Sequence, residues 1–166
     1  MTSYSSTELR RTHDTSAFDC GKPQLNEWLQ RNALRAQQQD TARTYVWTKP
    51  DDDVVLAYYS IAPTQVTAAD VPSRAAGGNS VIPSFLLSRL AVDHVLQGRG
   101  LGVQLLLDAL ERILTAAATA AGRLVIVDPI DDDAASFYAN FGFRDCRTDQ
   151  RRMYMKIASI EAIMNP

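Results

Sequence analysis

The stretch that most restricts the fold lies between residues 84 and 127. It reads SFLLSRLAV, then DHVLQGRG, then a leucine-rich run from about 101 to 120, then GRLVIV. Leu106, Leu110, Ile113 and Leu114 recur at helical spacing and give that run one apolar side. Gly122 follows as a stop signal. LVIV at 124–127 is apolar at every position, as a strand covered on both faces must be. Two short apolar strands joined by one long helix predict a parallel pair with a crossover connection.

The flanking sequence adds an element on each side. GKPQLNEWLQRNALRAQQQ predicts a helix, with Pro23 in its first turn. Leu25, Trp28, Leu29 and Ala33 form its apolar face. RTYVWT at 43–48 and VVLAYYSIA at 54–62 predict strands joined around the turn KPDDD. ADVPSRAAGGNSVIP, 69–83, reads as a loop. DDDAASFYANFGF opens a second helix with an aspartate available to cap it. RMYMKI at 152–157 predicts a last strand. This order gives an α/β or α+β domain with a mixed sheet.

Composition narrows the function classes. The 166 residues are 46% hydrophobic and 22% charged, with a net charge of −2, which fits one globular domain over residues 1–166. Residues 1–14, MTSYSSTELRRTHD, are expected to be flexible and hold no apolar signal core. No apolar run is long enough to span a membrane. Cys20 and Cys146 are too few for a disulfide framework or a zinc site. A cytoplasmic location and no bound metal are therefore expected. The first 49 residues carry seven Lys/Arg against five Asp/Glu, a small basic bias that decides nothing alone.

Glycines between a strand and a helix usually cradle phosphate. A Walker loop would end in Gly-Lys-Ser/Thr, and this loop does not. A dinucleotide fingerprint needs a third glycine, where Val103 and Leu105 stand instead. QGRGLG, Gln97–Gly102, fits a third arrangement. Successive backbone N–H groups and the positive end of the following helix can hold a diphosphate, and the absent β-carbons let it approach. A turn that merely needs glycine would look the same from the loop alone.

QGRGLG also matches the Gln/Arg-x-x-Gly-x-Gly/Ala pattern of the GNAT acyltransferase superfamily. AASFYANFGF resembles a second segment of that family, with Ala134, Phe137, Tyr138, Gly142 and Phe143 at the expected spacings. FDCGKPQLNEWL, ARTYVWT, AYYSIAPTQV and SRLAVDHVLQGRGLG are similar to one branch, the TacT-like toxins of bacterial toxin–antitoxin pairs. The resemblance implies a mixed, mostly antiparallel sheet with splayed central parallel strands, flanked by helices. It implies acetylation of the α-amine of aminoacyl-tRNA by acetyl-CoA, a ribbon-helix-helix antitoxin as partner, and a homodimer. A small-molecule amine or a protein N-terminus is the alternative acceptor. A non-catalytic module that binds coenzyme A or a partner is the second alternative.

The resemblance also implies site residues. Leu90, Ala91 and Val92 would bind the acyl-pantetheine arm, and the Val92 N–H or a neighbour would stabilise the oxyanion. Gln97, Gly98, Arg99, Gly100, Leu101 and Gly102 would hold the pyrophosphate. Asp131 stands where the family has an asparagine at the cofactor. Tyr138 would be the general acid for the leaving thiolate. Arg31, Arg35, Arg43 and Arg89, with Arg10 and Arg11, are the candidates for tRNA phosphates. Asp128 and Pro129 depart from the branch, which has a histidine there; Asp128 is a possible base or a helix cap. His94 reads as a loop residue and Cys20 as a packed thiol.

Overall fold

A computed structural model describes residues 4–148 and 151–166. Its elements are β1 (Ser5–Glu8), α1 (Pro23–Arg31), α2 (Ala33–Gln38), β2 (Arg43–Thr48), β3 (Ala57–Thr67), α3 (Ser73–Ala76), β4 (Val81–Val92), α4 (Leu101–Ala120), β5 (Leu124–Val127), α5 (Asp132–Phe141), β6 (Arg144–Asp145), β7 (Met153–Lys156) and α6 (Ile157–Met164). The strands form one seven-stranded sheet in the order β1-β2-β3-β4-β5-β7-β6. β4 and β5 run parallel, as their flanking of a long helix requires, with Ser84–Leu87 paired to Leu124–Val127. The β1–β2, β2–β3, β5–β7 and β6–β7 ladders are antiparallel. The ladder between β4 and β5 stops at Leu87 and Val127, while β4 itself continues to Val92.

The chain's contacts gather in two units, residues 1–62 with 89–109 and residues 63–88 with 110–166. The core of the first contains Leu9, Phe18, Leu29, Ala33, Val46, Val55, Tyr58 and Ala91. Its aromatic centre is layered. Tyr58 meets Phe18 edge-on and stacks with Trp28, and the Arg89 guanidinium lies 4.0 Å from the centroid of the Trp28 ring. One carboxylate oxygen ties this unit's strands to α4. Asp108 Oδ2 accepts from Ser6 Oγ at 2.5 Å, Tyr59 OH at 2.9 Å and Trp47 Nε1 at 3.3 Å.

The second unit has its own core, including Val66, Val71, Ala75, Ile82, Leu124, Ile126 and Tyr154. LVIV is buried at all four positions, as its unbroken apolar character anticipates. α5 starts where three aspartates follow one another. Asp131 is the cap, its Oδ1 accepting the Ala134 N–H at 2.9 Å, and Asp132 and Asp133 add negative charge to the first turn, the favourable sign there.

Several boundaries differ from those read in the sequence. The stretch 1–14 is not uniformly loose: Ser5–Glu8 pairs with Tyr45–Thr48, and Leu9 is buried. Residues 1–3 of that stretch lie outside the described residues. The short strand escaped the sequence because SSTE is polar, as an edge strand tolerates. The strand expected at 54–62 runs from Ala57 to Thr67. Its expected start serves another partner: Asp53 O accepts Asp14 N–H, and Val55 N–H donates to Asp14 O. Pro63 is tolerated because it follows Ile61, the last residue paired with β2. The expected loop 69–83 holds α3 and the start of β4. The N-terminal helix breaks at Asn32, whose φ is −120°.

Asp108 yields a stability prediction. Asp108→Ala removes the acceptor that these three donors share, at about 1–3 kcal/mol in all. Chemical denaturation is expected to show a loss in that range, and an unchanged midpoint would contradict the tie.

Candidate active site

In the first unit, the loop between β4 and α4 is fastened before it reaches its glycines. Asp93 is buried. Its Oδ2 accepts the Asp19 N–H at 3.0 Å and its Oδ1 the Val95 N–H at 3.1 Å. Its own N–H donates to Leu56 O at 2.8 Å. Gln97 Nε2 donates to Cys20 O and Val92 O, both at 2.8 Å. The segment FDCGK is thereby held against the root of the glycine loop. FDCGK is braced in turn by Asn26, which donates to Asp19 Oδ1 and accepts the Cys20 N–H. The Gly21 N–H and the Asn26 amide hold the Asp19 carboxyl below its ordinary pKa.

His94 takes the loop role read from the sequence. Its ring nitrogen Nδ1 lies 3.1 Å from Asp19 O and 3.2 Å from Asp93 Oδ1. Two acceptors at one nitrogen mean that Nδ1 carries the proton. The Cys20 thiol is buried, and burial raises its pKa, which is the environment of an inert packed thiol.

Beyond this anchor the chain turns through Gly98 and Gly100, with φ of +79° and +74°. These are left-handed conformations that side chains resist. A β-carbon at either would meet nothing within 4 Å, so the glycines answer to the backbone turn and leave open space beside it. Arg99 is exposed between them. Leu101 and Gly102 open α4. Of the strand residues ahead of the loop, Ala91 is buried, whereas Leu90 and Val92 are half-buried. The Gln97 side-chain amide is engaged by the protein, which leaves its backbone as the group it can offer a ligand.

In the second unit, Tyr138 sits in the last turns of α5 among aromatic rings. Phe137 and Phe143 each approach it edge-on with centroids 5.3 Å away. Burial pushes its phenol pKa well above the ordinary value. Among the described residues its hydroxyl has no hydrogen-bond partner, yet no polar side-chain atom among them is both fully buried and unpartnered. The oxygen therefore keeps a path out of the core. Tyr58 is the contrast: equally buried in rings, it donates its hydroxyl to Leu25 O at 2.7 Å.

Asp128 is neither a cap nor a free base. Arg152 grips it with two parallel bonds, Nε to Oδ1 at 2.8 Å and Nη2 to Oδ2 at 2.9 Å, so both oxygens are engaged. The cap is Asp131, three residues later. That capping bond occupies one oxygen of the residue expected at the cofactor.

The expected nucleic-acid arginines divide. Arg31 and Arg35 are exposed on α1 and α2 with no acidic partner among the described residues. Arg43 is paired with Asp40 at 2.6 Å and Glu8 at 3.7 Å. Arg89 is stacked on Trp28, and burial lowers its pKa. Sequence reasoning missed Asp93 as the anchor and Asp108 as the strand tie. No helix among the described residues is long and apolar enough to cross a membrane.

A strand, a turn with two left-handed glycines and a long helix, beside a parallel partner strand, define a domain of the coenzyme-A acyltransferase type. The chain belongs to the GNAT acetyltransferase family, whose model, an acetyltransferase (GNAT) domain, matches residues 26–159. The tRNA-acetylating toxin of Mycobacterium tuberculosis is 35% identical over 152 residues, spanning 91% of this chain and 90% of that protein. Among solved structures, AtaT complexed with acetyl-methionyl-tRNAfMet superposes with a TM-score of 0.90 at 25% identity, covering 98% of this chain and 100% of that one. AtaTR bound with AcCoA gives 0.84 at 25% identity, covering 98% of each.

The anchor can be tested without substrate. Asp93→Ala strips the acceptor from two backbone donors and is expected to cost roughly 2–4 kcal/mol. Amide hydrogen exchange at Asp19 and Val95 should accelerate well before global unfolding. Exchange at the native rate would refute the anchor.

Proposed function

We propose that the protein is an acetyl-CoA-dependent N-acetyltransferase toxin that modifies the α-amino group of aminoacyl-tRNA and so blocks translation. The observation that carries this reading is the likeness to the tRNA-acetylating toxin across nearly the whole of both chains. The structure of AtaT with acetyl-methionyl-tRNAfMet supports the same acceptor class. A cytoplasmic site of action, a homodimer and a ribbon-helix-helix antitoxin belong to the proposal through the family resemblance.

The residues suit the chemistry. The Gly98–Gly102 backbone and the start of α4 would receive the pyrophosphate, with Arg99 adding a charged contact. Leu90–Val92 would bind the pantetheine arm as an added strand, since β4 outruns its ladder with β5 there. A backbone N–H at Val92 would polarise the thioester carbonyl. The neutral amine attacks, the carbon–sulfur bond breaks, the new amide nitrogen loses a proton, and the thiolate gains one.

By the family resemblance Tyr138 would serve the leaving sulfur. Its phenol lies above the usual pKa of about 10, and a thiol lies near 8.5. Full transfer from phenol to thiolate is therefore uphill by at least about 2 kcal/mol. Tyr138 thus acts chiefly by donating a hydrogen bond as charge develops on sulfur, with the proton from the amine completing the exchange.

Tyr138→Phe should lower kcat by about 10²–10⁴-fold while leaving the acetyl-CoA dissociation constant within about twofold. A fully active variant would remove Tyr138 from the mechanism. Gly100→Val should raise the acetyl-CoA KM at least tenfold, both by filling the space beside the turn and by straining its left-handed backbone, and unaltered binding would contradict the pyrophosphate assignment. Transfer of labelled acetyl groups to bulk charged tRNA tests the acceptor directly.

The phenol shift sets a pH expectation. Burial raises the folded pKa of Tyr138 and Tyr58 above the unfolded value. Their contribution to stability is thus full below about pH 10 and is lost as pH rises beyond it. Rates measured between pH 7 and 9.5 should show no decline from phenol ionisation.

A further inference from the structure

A cavity of about 370 Å³ in the second unit is lined by Arg74, Arg144 and Lys156 together with Ser159, over a floor that includes Met155 and Ile163. Among the described residues no aspartate or glutamate lines it. The three cations come from separate elements, α3, β6 and β7, so the fold and not one local charge run brings them together. None has an acidic partner among the described residues, whereas Arg43, Arg151 and Arg152 are all ion-paired.

Two features make the wall beside Arg74 suited to an anion. The exposed carbonyls at the end of a helix repel negative charge. Here Arg123 covers them, donating from Nε to Ala75 O at 2.7 Å and from Nη2 to Arg74 O at 3.2 Å. The cavity also presents many donors and few acceptors. Two guanidiniums and an ammonium offer only N–H groups. A docked peptide would bring backbone N–H groups that need acceptors, but a phosphodiester brings acceptors alone.

We infer that this cavity is a phosphate-binding site for the RNA backbone of the acceptor, an assignment that rests on the aminoacyl-tRNA reading. It lies beside the end of the helix that carries Tyr138, since Gly142, the residue closing α5, is part of its lining. Arg74, Arg144 and Lys156 each contact phosphate without reading sequence. The floor of Met155 and Ile163 accommodates a ribose. Arg74 and Arg144 were not among the cations singled out in the sequence, because nothing in their spacing announces that they converge.

The test is the salt dependence of tRNA binding by the full-length protein. Wild type and an Arg74→Gln/Arg144→Gln/Lys156→Gln variant are titrated with deacylated tRNA at several KCl concentrations, alongside an Arg74→Lys/Arg144→Lys control. Each phosphate contact contributes about 0.7–0.9 to the slope of log K against log salt. The triple variant should lose roughly 2–3 from that slope and bind at least tenfold more weakly near 0.1 M salt. The lysine control should keep the wild-type slope, and acetyl-CoA affinity and melting temperature should not change.

A triple variant with wild-type slope and affinity overturns the site. If wild type still acetylates aminoacyl-tRNA in that case, the functional reading survives alone. Wild type that binds no tRNA overturns the site, and wild type that also acetylates no aminoacyl-tRNA sinks both. Competition by an acidic polyglutamate peptide at the cavity, with tRNA binding unaffected by the variant, would reassign the surface to a protein partner and overturn the RNA site.

Discussion

The chain between β4 and α4 depends on one buried carboxylate. A loop that turns twice through left-handed glycine has little stiffness of its own, since glycine loses more freedom on ordering than any other residue. Asp93 supplies what the glycines lack. It gathers N–H groups from Asp19 and Val95, and Gln97 adds bonds to Cys20 O and Val92 O. The permissive residues can therefore answer to geometry at the ligand side while their entrance stays fixed. This explains why FDCGK, far away in sequence, belongs functionally to the glycine turn.

The two buried tyrosines show how similar surroundings separate into different jobs. Tyr58 and Tyr138 both sit in ring clusters, and burial raises both pKa values. Tyr58 has its hydroxyl committed to the Leu25 carbonyl, so it is a fixed part of the first core. Tyr138 makes no such bond among the described residues, so its O–H is left available as a donor. Ring packing positions the group, and the missing partner makes it usable.

What could be read from the sequence followed the range of the forces involved. The helix after QGRGLG, the all-apolar LVIV and the parallel strand pair rest on local periodicity and burial, and they came out as expected. Polar roles did not, because they depend on partners distant in the chain. Asp108 looks like an ordinary helix surface residue until Ser6, Trp47 and Tyr59 reach it. DPIDDD offers several possible helix caps. Only the fold assigns that job to Asp131 and gives Asp128 to Arg152. Arg43 and Arg89, candidates for tRNA phosphates in the sequence, have neighbours the sequence did not announce, Asp40 and Trp28.

The first unit is assembled from two separated stretches, 1–62 and 89–109. Asp93 and Asp108, which tie it together, both lie in the later stretch, whereas Asp19, Ser6, Trp47 and Tyr59 lie in the earlier one. A growing chain therefore releases the donors long before their acceptors. Some 47 residues separate Ala62 from Ala109, a wait of roughly 2–10 s at ordinary rates of synthesis. Until Asp108 has been made β1 has no helix to meet, whereas the glycine turn follows its own anchor, Asp93, by only a few residues. The N-terminal strands thus stay untied until α4 has begun to form, whereas the glycine turn can be fastened to FDCGK as soon as it is made.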